Sequence, residues 1–242
     1  MKVISLAGRN IKEVYRDPVS MLLGLAMPIA LLILFSSIHK KVQLDMFSPQ
    51  MLTPGIIIFC FAFLIMFSAI LLAKDTQSTL LTRLFTAPLK PFDFIMAYIL
   101  PFLPIALFQT VICLIVGAIL GATFQNLILA CIIFFFAATI CICLGMILGS
   151  LFTVNQVSGV GSLLVTAIGL FCGAWTPLKI MGGVFETIGY ALPFAHAVDA
   201  ANGLLSGSSF SDILGNFYYI LIYALILFVL AIFSFRWRMK RG

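Results

Sequence analysis

Charge is what this chain most lacks. Of 242 residues only 9% are Asp, Glu, Lys or Arg and 63% are apolar, whereas a soluble domain carries roughly a quarter charged residues. Residues 94–178 contain no charged side chain at all. So few charges could not cover a globule in water, so a cytosolic enzyme, a secreted protein and a nucleic-acid binder are excluded. Lipid is the implied solvent. The phosphate loop G-x-x-x-x-G-K-[ST] is missing, and no polar stretch is long enough for an ATPase domain. The six cysteines, Cys60, Cys113, Cys131, Cys141, Cys143 and Cys172, fall inside apolar runs without acidic or histidine neighbours. A disulfide framework needs a loop-rich, oxidising context, so these read as small hydrophobes. Cys141 and Cys143, two apart, point to different sides of a helix.

Long apolar runs are what the chain has instead. Residues 19–38, 54–73, 94–122, 127–152, 157–175 and 213–235 each offer enough helix to cross a hydrocarbon core of about 30 Å. Only Thr153, Asn155, Gln156 and Ser158 divide the fourth run from the fifth, so that turn must be short. Five or seven spans are the competing counts. The expected fold is therefore an all-α integral membrane protein with six transmembrane helices, one domain over residues 1–242. Lysine and arginine set its orientation. With the N-terminus inside, eleven of the fourteen lie on cytoplasmic segments and only Lys40, Lys41 and Lys179 lie outside. Both termini are expected in the cytoplasm. The net charge of +6 is then a topology signal and no argument for nucleic acid. No cleavable signal is expected, because the apolar run after Pro18 is of spanning length and no A-x-A site follows.

Four segments lie outside the spans. In residues 1–18, Val3, Ile4, Ala7, Ile11, Val14 and Tyr15 recur at helical spacing between Lys2, Arg9, Lys12 and Glu13. This predicts an amphipathic interfacial helix in the inner headgroup layer, ended by Pro18; a frayed basic tail is the plainer alternative. In residues 74–93, Leu80, Leu81, Leu84 and Phe85 form one face of a short cytoplasmic helix, broken by Ala87-Pro88-Leu89-Lys90-Pro91. The membrane surface, the bundle itself or a soluble partner could cover that face. Residues 176–212 are too apolar for a solvated loop and are punctuated by Gly182, Gly183, Gly189 and Pro193. Two short helices dipping into the outer leaflet and capping a pathway fit best, with a small outer lid as the alternative. Residues 236–241 form a basic flank that meets anionic lipid.

Candidate functional residues within the spans are few. Phe59, Phe63 and Phe67 recur every fourth residue and line a substrate path, or else face lipid or a neighbouring helix. Gly117/Gly121, Gly145/Gly149 and Gly169/Gly173 have the spacing of small faces where membrane helices approach closely. An ion-coupled transporter usually keeps an ionisable group within a span. Here Glu186 and Asp199, the best candidates, lie in the outer connection, and no inverted repeat is evident. His196 and Asp199 stand three apart on one helix turn, but no nucleophile sits in a recognisable motif, so no enzyme activity is expected.

Several motifs, in order, bear a family likeness. Arg16-Asp17-Pro18 ends the first helix, and Pro28 sits inside the first span. Asp75-Thr76-Gln77-Ser78-Thr79-Leu80 follows span two, then Arg83-Leu84 and Ala87-Pro88-Leu89. Residues 173–177 precede Pro193-Phe194-Ala195 and Asp199. Over essentially its whole length the chain resembles the membrane subunit of ABC-2 type transporters, the type V exporter class. The resemblance implies a coupling segment with Asp75, Gln77, Thr79, Leu80, Arg83, Leu84 and Pro88. It also implies a re-entrant outer hairpin between spans five and six, with Pro177, Glu186, Pro193 and Asp199. There are departures: Asp75, Gln77 and Ser78 replace the family's usual glutamates and glycine, and Asn202 stands where an arginine is common. The class implies an export permease in the cell membrane. It would work with a separate ABC ATP-binding subunit, which holds ATP and Mg, and with a second permease copy as a homodimer. This chain itself would bind no cofactor. The uncharged core favours a hydrophobic or amphipathic cargo such as a drug, lipid or lipopeptide. An ion-coupled secondary transporter is the competing reading.

Overall fold

The computed structural model describes residues 2–42, 44–77 and 91–239, and among these there is helix and connecting turn but no strand. Proline places many of the helix starts. α2 (Pro18–Val42), α3 (Pro49–Gln77), α4 (Pro91–Ile99) and α10 (Pro193–Leu205) each begin on one, where the missing N–H is an orphan anyway and φ is preset. The other helices are α1 (Lys2–Tyr15), α5 (Phe102–Ile119), α6 (Leu127–Leu151), α7 (Val154–Phe171), α8 (Leu178–Met181), α9 (Gly183–Ala191) and α11 (Phe210–Met239). Among the described residues, six segments are long and apolar enough to cross a membrane: α2, α3, α4 with α5, α6, α7 and α11. The protein is a multi-pass membrane protein.

One detail differs from the sequence expectation and another bears it out. The third span is one run by hydropathy, yet the helix is interrupted between α4 and α5 at Leu100 and Pro101, because Pro101 donates no N–H and crowds the preceding turn. The turn between spans four and five is short, as expected, with only residues 152–153 between α6 and α7. Thr153 caps α7, and its N–H donates to Gln156 Oε1 at 3.0 Å, satisfying a group that the helix start leaves unpaired.

α3 is apolar all round and sits at the centre, packed on α2, α5, α6, α7 and α10. Its longest contact is with α6, and glycine permits it. A Cβ on Gly149 would lie 2.5 Å from the Ala69 carbonyl oxygen, and one on Gly145 would lie 2.6 Å from that of Ile65. Lipid gives helices no hydrophobic reason to associate, so such close packing is what holds them. The other two glycine pairs are not helix faces. Gly121 (φ 107°) and Gly173 (φ 74°) turn the chain after α5 and α7, in a conformation that a side chain would strain.

The two ends of the bundle are distinct. α1, the end of α3, the start of α4 and the end of α11 share one end, where Phe94 meets Phe235 at 5.2 Å between ring centroids. The opposite end gathers the α2–α3, α5–α6 and α10–α11 connections around Gln50. That side chain donates to Leu205 O (3.1 Å) and accepts from Thr123 N–H (2.8 Å). Trp175 closes the same end, between Phe35 at 5.3 Å and Phe59 at 5.0 Å. The first helix and the end of the last span therefore lie on the same side.

Candidate functional site

The chemistry of the α1 end centres on one buried carboxylate. Asp75 lies two residues before the end of α3 and its side chain is only 7% exposed. Arg9 of α1 grips it with both guanidinium nitrogens, Nη1 to Oδ2 at 2.6 Å and Nη2 to Oδ1 at 2.7 Å. Tyr98 of α4 donates its hydroxyl to Oδ2 at 2.6 Å. Asn10, fully buried beside Arg9, donates to the Ala97 carbonyl oxygen at 3.1 Å. A planar two-pronged guanidinium–carboxylate pair is the strongest charge-assisted arrangement available to side chains. The Asp75 hydrogen bonds and charge push the Arg9 guanidinium further above its ordinary range, against the desolvation that would lower it.

This clamp ties α1 to α3 and α4, the two helices that flank residues 78–90 along the chain. It depends on the phase of α1. Leu6, Ala7 and Asn10 are buried against the bundle, while Ile4, Ile11 and Tyr15 remain exposed on another face. Asn10 is not marked out by the sequence reading, and Arg9 is read there only as a basic flank of an interfacial helix. The available signal was Asn10 in step with Val3, Leu6, Ala7 and Val14, a polar side chain on an apolar helical face. Of the expected coupling residues, Asp75 is buried in the clamp and Gln77 is exposed at the end of α3. Thr79, Leu80, Arg83, Leu84 and Pro88 lie outside the described residues.

Beside the clamp, α1, α2, α3 and α5 enclose a cavity of about 920 Å³. Its body is apolar, walled by Phe63, Met66, Phe67 and Ile70 of α3 and by Phe102 and Ile105 of α5. Its rim at the α1 end carries Glu13, Arg16, Asp17 and Lys74. The Gln109 amide at its edge donates to Gly24 O at 3.1 Å, bridging α5 and α2. Phe63 and Phe67 thus share one hollow, whereas Phe59 does not line it. Each four-residue step advances about 40° round a helix of 3.6 residues per turn, so Phe59 points instead at Trp175 and Gly169.

At the far end, α9 and α10 are bound to α11. Tyr190 donates to Asp199 Oδ2 (2.7 Å), and Tyr223 donates to Ala191 O (2.7 Å). His196 stacks on Tyr219 at 4.3 Å, with one ring nitrogen 2.8 Å from Asn216 Oδ1 and the other 3.0 Å from Tyr190 O. His196 and Asp199 therefore bond to other groups, and the three-residue spacing makes no dyad. Burial, then the Asp199 hydrogen bond and the Asp199 and Glu186 charges, raise the Tyr190 phenol. Pro193 is buried at the start of α10, Pro177 precedes α8, and Glu186 is half-buried on α9. The Asn202 side-chain oxygen is buried and has no hydrogen-bond partner among the described residues.

α7 turns a polar stripe outward: Ser158, Ser162 and Thr166 are exposed, and their hydroxyls donate to Val154 O, Ser158 O and Ser162 O at 2.9–3.2 Å. Bonding back to the helix is how hydroxyls are carried in an apolar medium. Among the described residues no three His, Cys, Asp or Glu side chains converge as a metal site. A model of the ABC-2 type transporter family matches residues 1–206. No curated protein matches the chain.

Proposed function

The chain belongs to the ABC-2 type transporter family, and on that premise we propose that it is the permease of an ATP-driven exporter for hydrophobic or amphipathic cargo. ATP and Mg are bound and used on a separate ABC ATP-binding subunit, and this chain takes no part in hydrolysis. The α1 end of the bundle faces the cytoplasm of the cell, with both termini there, and α1 lies in the inner headgroup layer. Residues 74–93 are the handle on which the ATP-binding subunit pushes. A second permease copy covers the exposed hydroxyl stripe of α7, and α8 to α10 form a re-entrant cap over the outer end of the path.

The observation that carries this reading is the Arg9–Asp75–Tyr98 clamp. It joins α1 to the helices flanking residues 78–90, and the C-terminal end of α1 forms the rim of the apolar cavity. A push on the handle therefore moves the rim rather than dissipating in a loose loop. Coupling of this kind needs a partner that binds the two permease states with different free energy.

The test is charge reversal in the handle. Co-purified with its ATP-binding partner and returned to vesicles, Arg83→Glu should lower cargo-stimulated ATP hydrolysis severalfold while the protein still inserts and assembles. Full stimulation in that variant would remove residues 74–93 from the mechanism.

A further inference from the structure

The cavity of a single protomer has the depth and charge pattern of a lipid site, and we infer that it holds one zwitterionic phospholipid. In this arrangement the phosphate sits against Arg16 and Lys74, and an acyl chain lies between α2, α3 and α5. Depth is the first argument. On α3 the lining runs from Lys74 back to Cys60, fourteen residues or about 21 Å of helix. One leaflet of the hydrocarbon core is about 15 Å deep, so a chain entering at the rim reaches its full length inside. The volume of about 920 Å³ lies within the roughly 300–1,000 Å³ typical of small-molecule sites.

Charge is the second argument. Arg16 and Lys74 are exposed on the rim and, among the described residues, neither pairs with another side chain. Two cations beside an apolar hollow match a phosphate over a hydrocarbon tail. Glu13 shares that rim, so among the described residues it presents both signs of charge. A polyanionic head would be repelled, whereas a phosphate next to an ammonium fits. The third argument is access. Phe108 lines the cavity while 57% exposed, which leaves an open edge on the lipid-facing side of α5. No described residue of α7 lines the hollow, so the site is separate from the hydroxyl stripe assigned to the second copy. Binding here stands on the cavity alone, and only the occupant's role as cargo rests on the exporter reading.

Photolabelling tests it. The permease with its ATP-binding partner, in a phosphate-free maltoside detergent, is given a phosphatidylethanolamine with a diazirine on one acyl chain, or a diacylglycerol with the same chains. The phospholipid should label residues 60–74 and 102–109, and the diacylglycerol should not. Arg16→Gln with Lys74→Gln should cut labelling roughly tenfold. Phe67→Trp, which fills the hollow from within a span, should cut it too. Lys179→Gln, at the opposite end, should leave it unchanged and controls for folding. Equal labelling by diacylglycerol, labelling elsewhere, or full labelling of the Arg16/Lys74 variant would overturn the site. Loss of label on adding ATP supports the lipid as cargo. Label that ATP does not change overturns the loading role while the site stands.

Discussion

Removing Arg9 asks the sharpest question about the α1 end. Arg9→Ala deprives Asp75, 7% exposed, of two charge-assisted hydrogen bonds. Stripping one partner from a fully buried pair costs about 3–5 kcal/mol. The Arg9 side chain is 35% exposed, so solvent screening reduces the expected loss to about 2–3 kcal/mol. Asp75→Asn keeps the shape and the Tyr98 contact and should cost less, about 1–2 kcal/mol. The double variant no longer buries a stranded carboxylate. It should fall well short of the sum of the singles, with a coupling of about 1.5 kcal/mol or more. At about 2–4 °C per kcal/mol for a chain of this size, Arg9→Ala should lower the midpoint of thermal unfolding by roughly 5–10 °C. Fluorescence-detected size exclusion after heating in detergent reads this. Arg9→Lys should recover only part of it, because an ammonium cannot grip both carboxylate oxygens. The Arg9 pKa is raised, so its contribution is fully present below the unfolded-state value and is lost only above the folded one. The gap between wild type and Arg9→Ala should therefore hold from about pH 8 to about pH 10. Strictly additive singles, or an Arg9→Ala midpoint equal to wild type, would refute the clamp.

Other consequences follow from particular contacts. Gly145→Val or Gly149→Val should push α6 from α3 and cost about 1–3 kcal/mol by overpacking, read as a lower unfolding midpoint; wild-type midpoints would mean that the helices do not touch there. Tyr190→Phe removes the hydrogen bond between α9 and α10 and Tyr223→Phe the one between α11 and α9, and each should cost about 1 kcal/mol without displacing the fold. Gly183→Cys, in a cysteine-free background, should react with an impermeant thiol reagent added outside intact cells. Reaction only after the cytoplasmic face is opened would invert the topology.

Much of the architecture was legible because lipid tolerates so little charge. The span count follows from where charge is missing, and the family likeness from short motifs set against those spans. Span ends were less legible: Pro49, well before the apolar run at Pro54, starts α3, and Pro101 interrupts the helix in a segment whose hydropathy is continuous. The clamp was not legible, because Arg9 and Asp75 are 66 positions apart and each alone reads as a helix-flanking charge. The cavity was half legible. Phe63 and Phe67 share its wall, but an every-fourth-residue stripe drifts round the helix and carries Phe59 to another neighbour. Neither Arg16 nor Lys74 was linked to that stripe, since the link runs through the fold of α1 onto α3.

The central claim is that ATP used on a partner subunit drives cargo through this permease. Its most direct test is transport by vesicles holding the permease and its ATP-binding partner, loaded with a fluorescent amphiphile. Transport should require ATP, the partner and an intact handle at residues 74–93, and should continue when any proton gradient is collapsed. Transport driven by a proton gradient without ATP would contradict the account and establish the ion-coupled reading in its place.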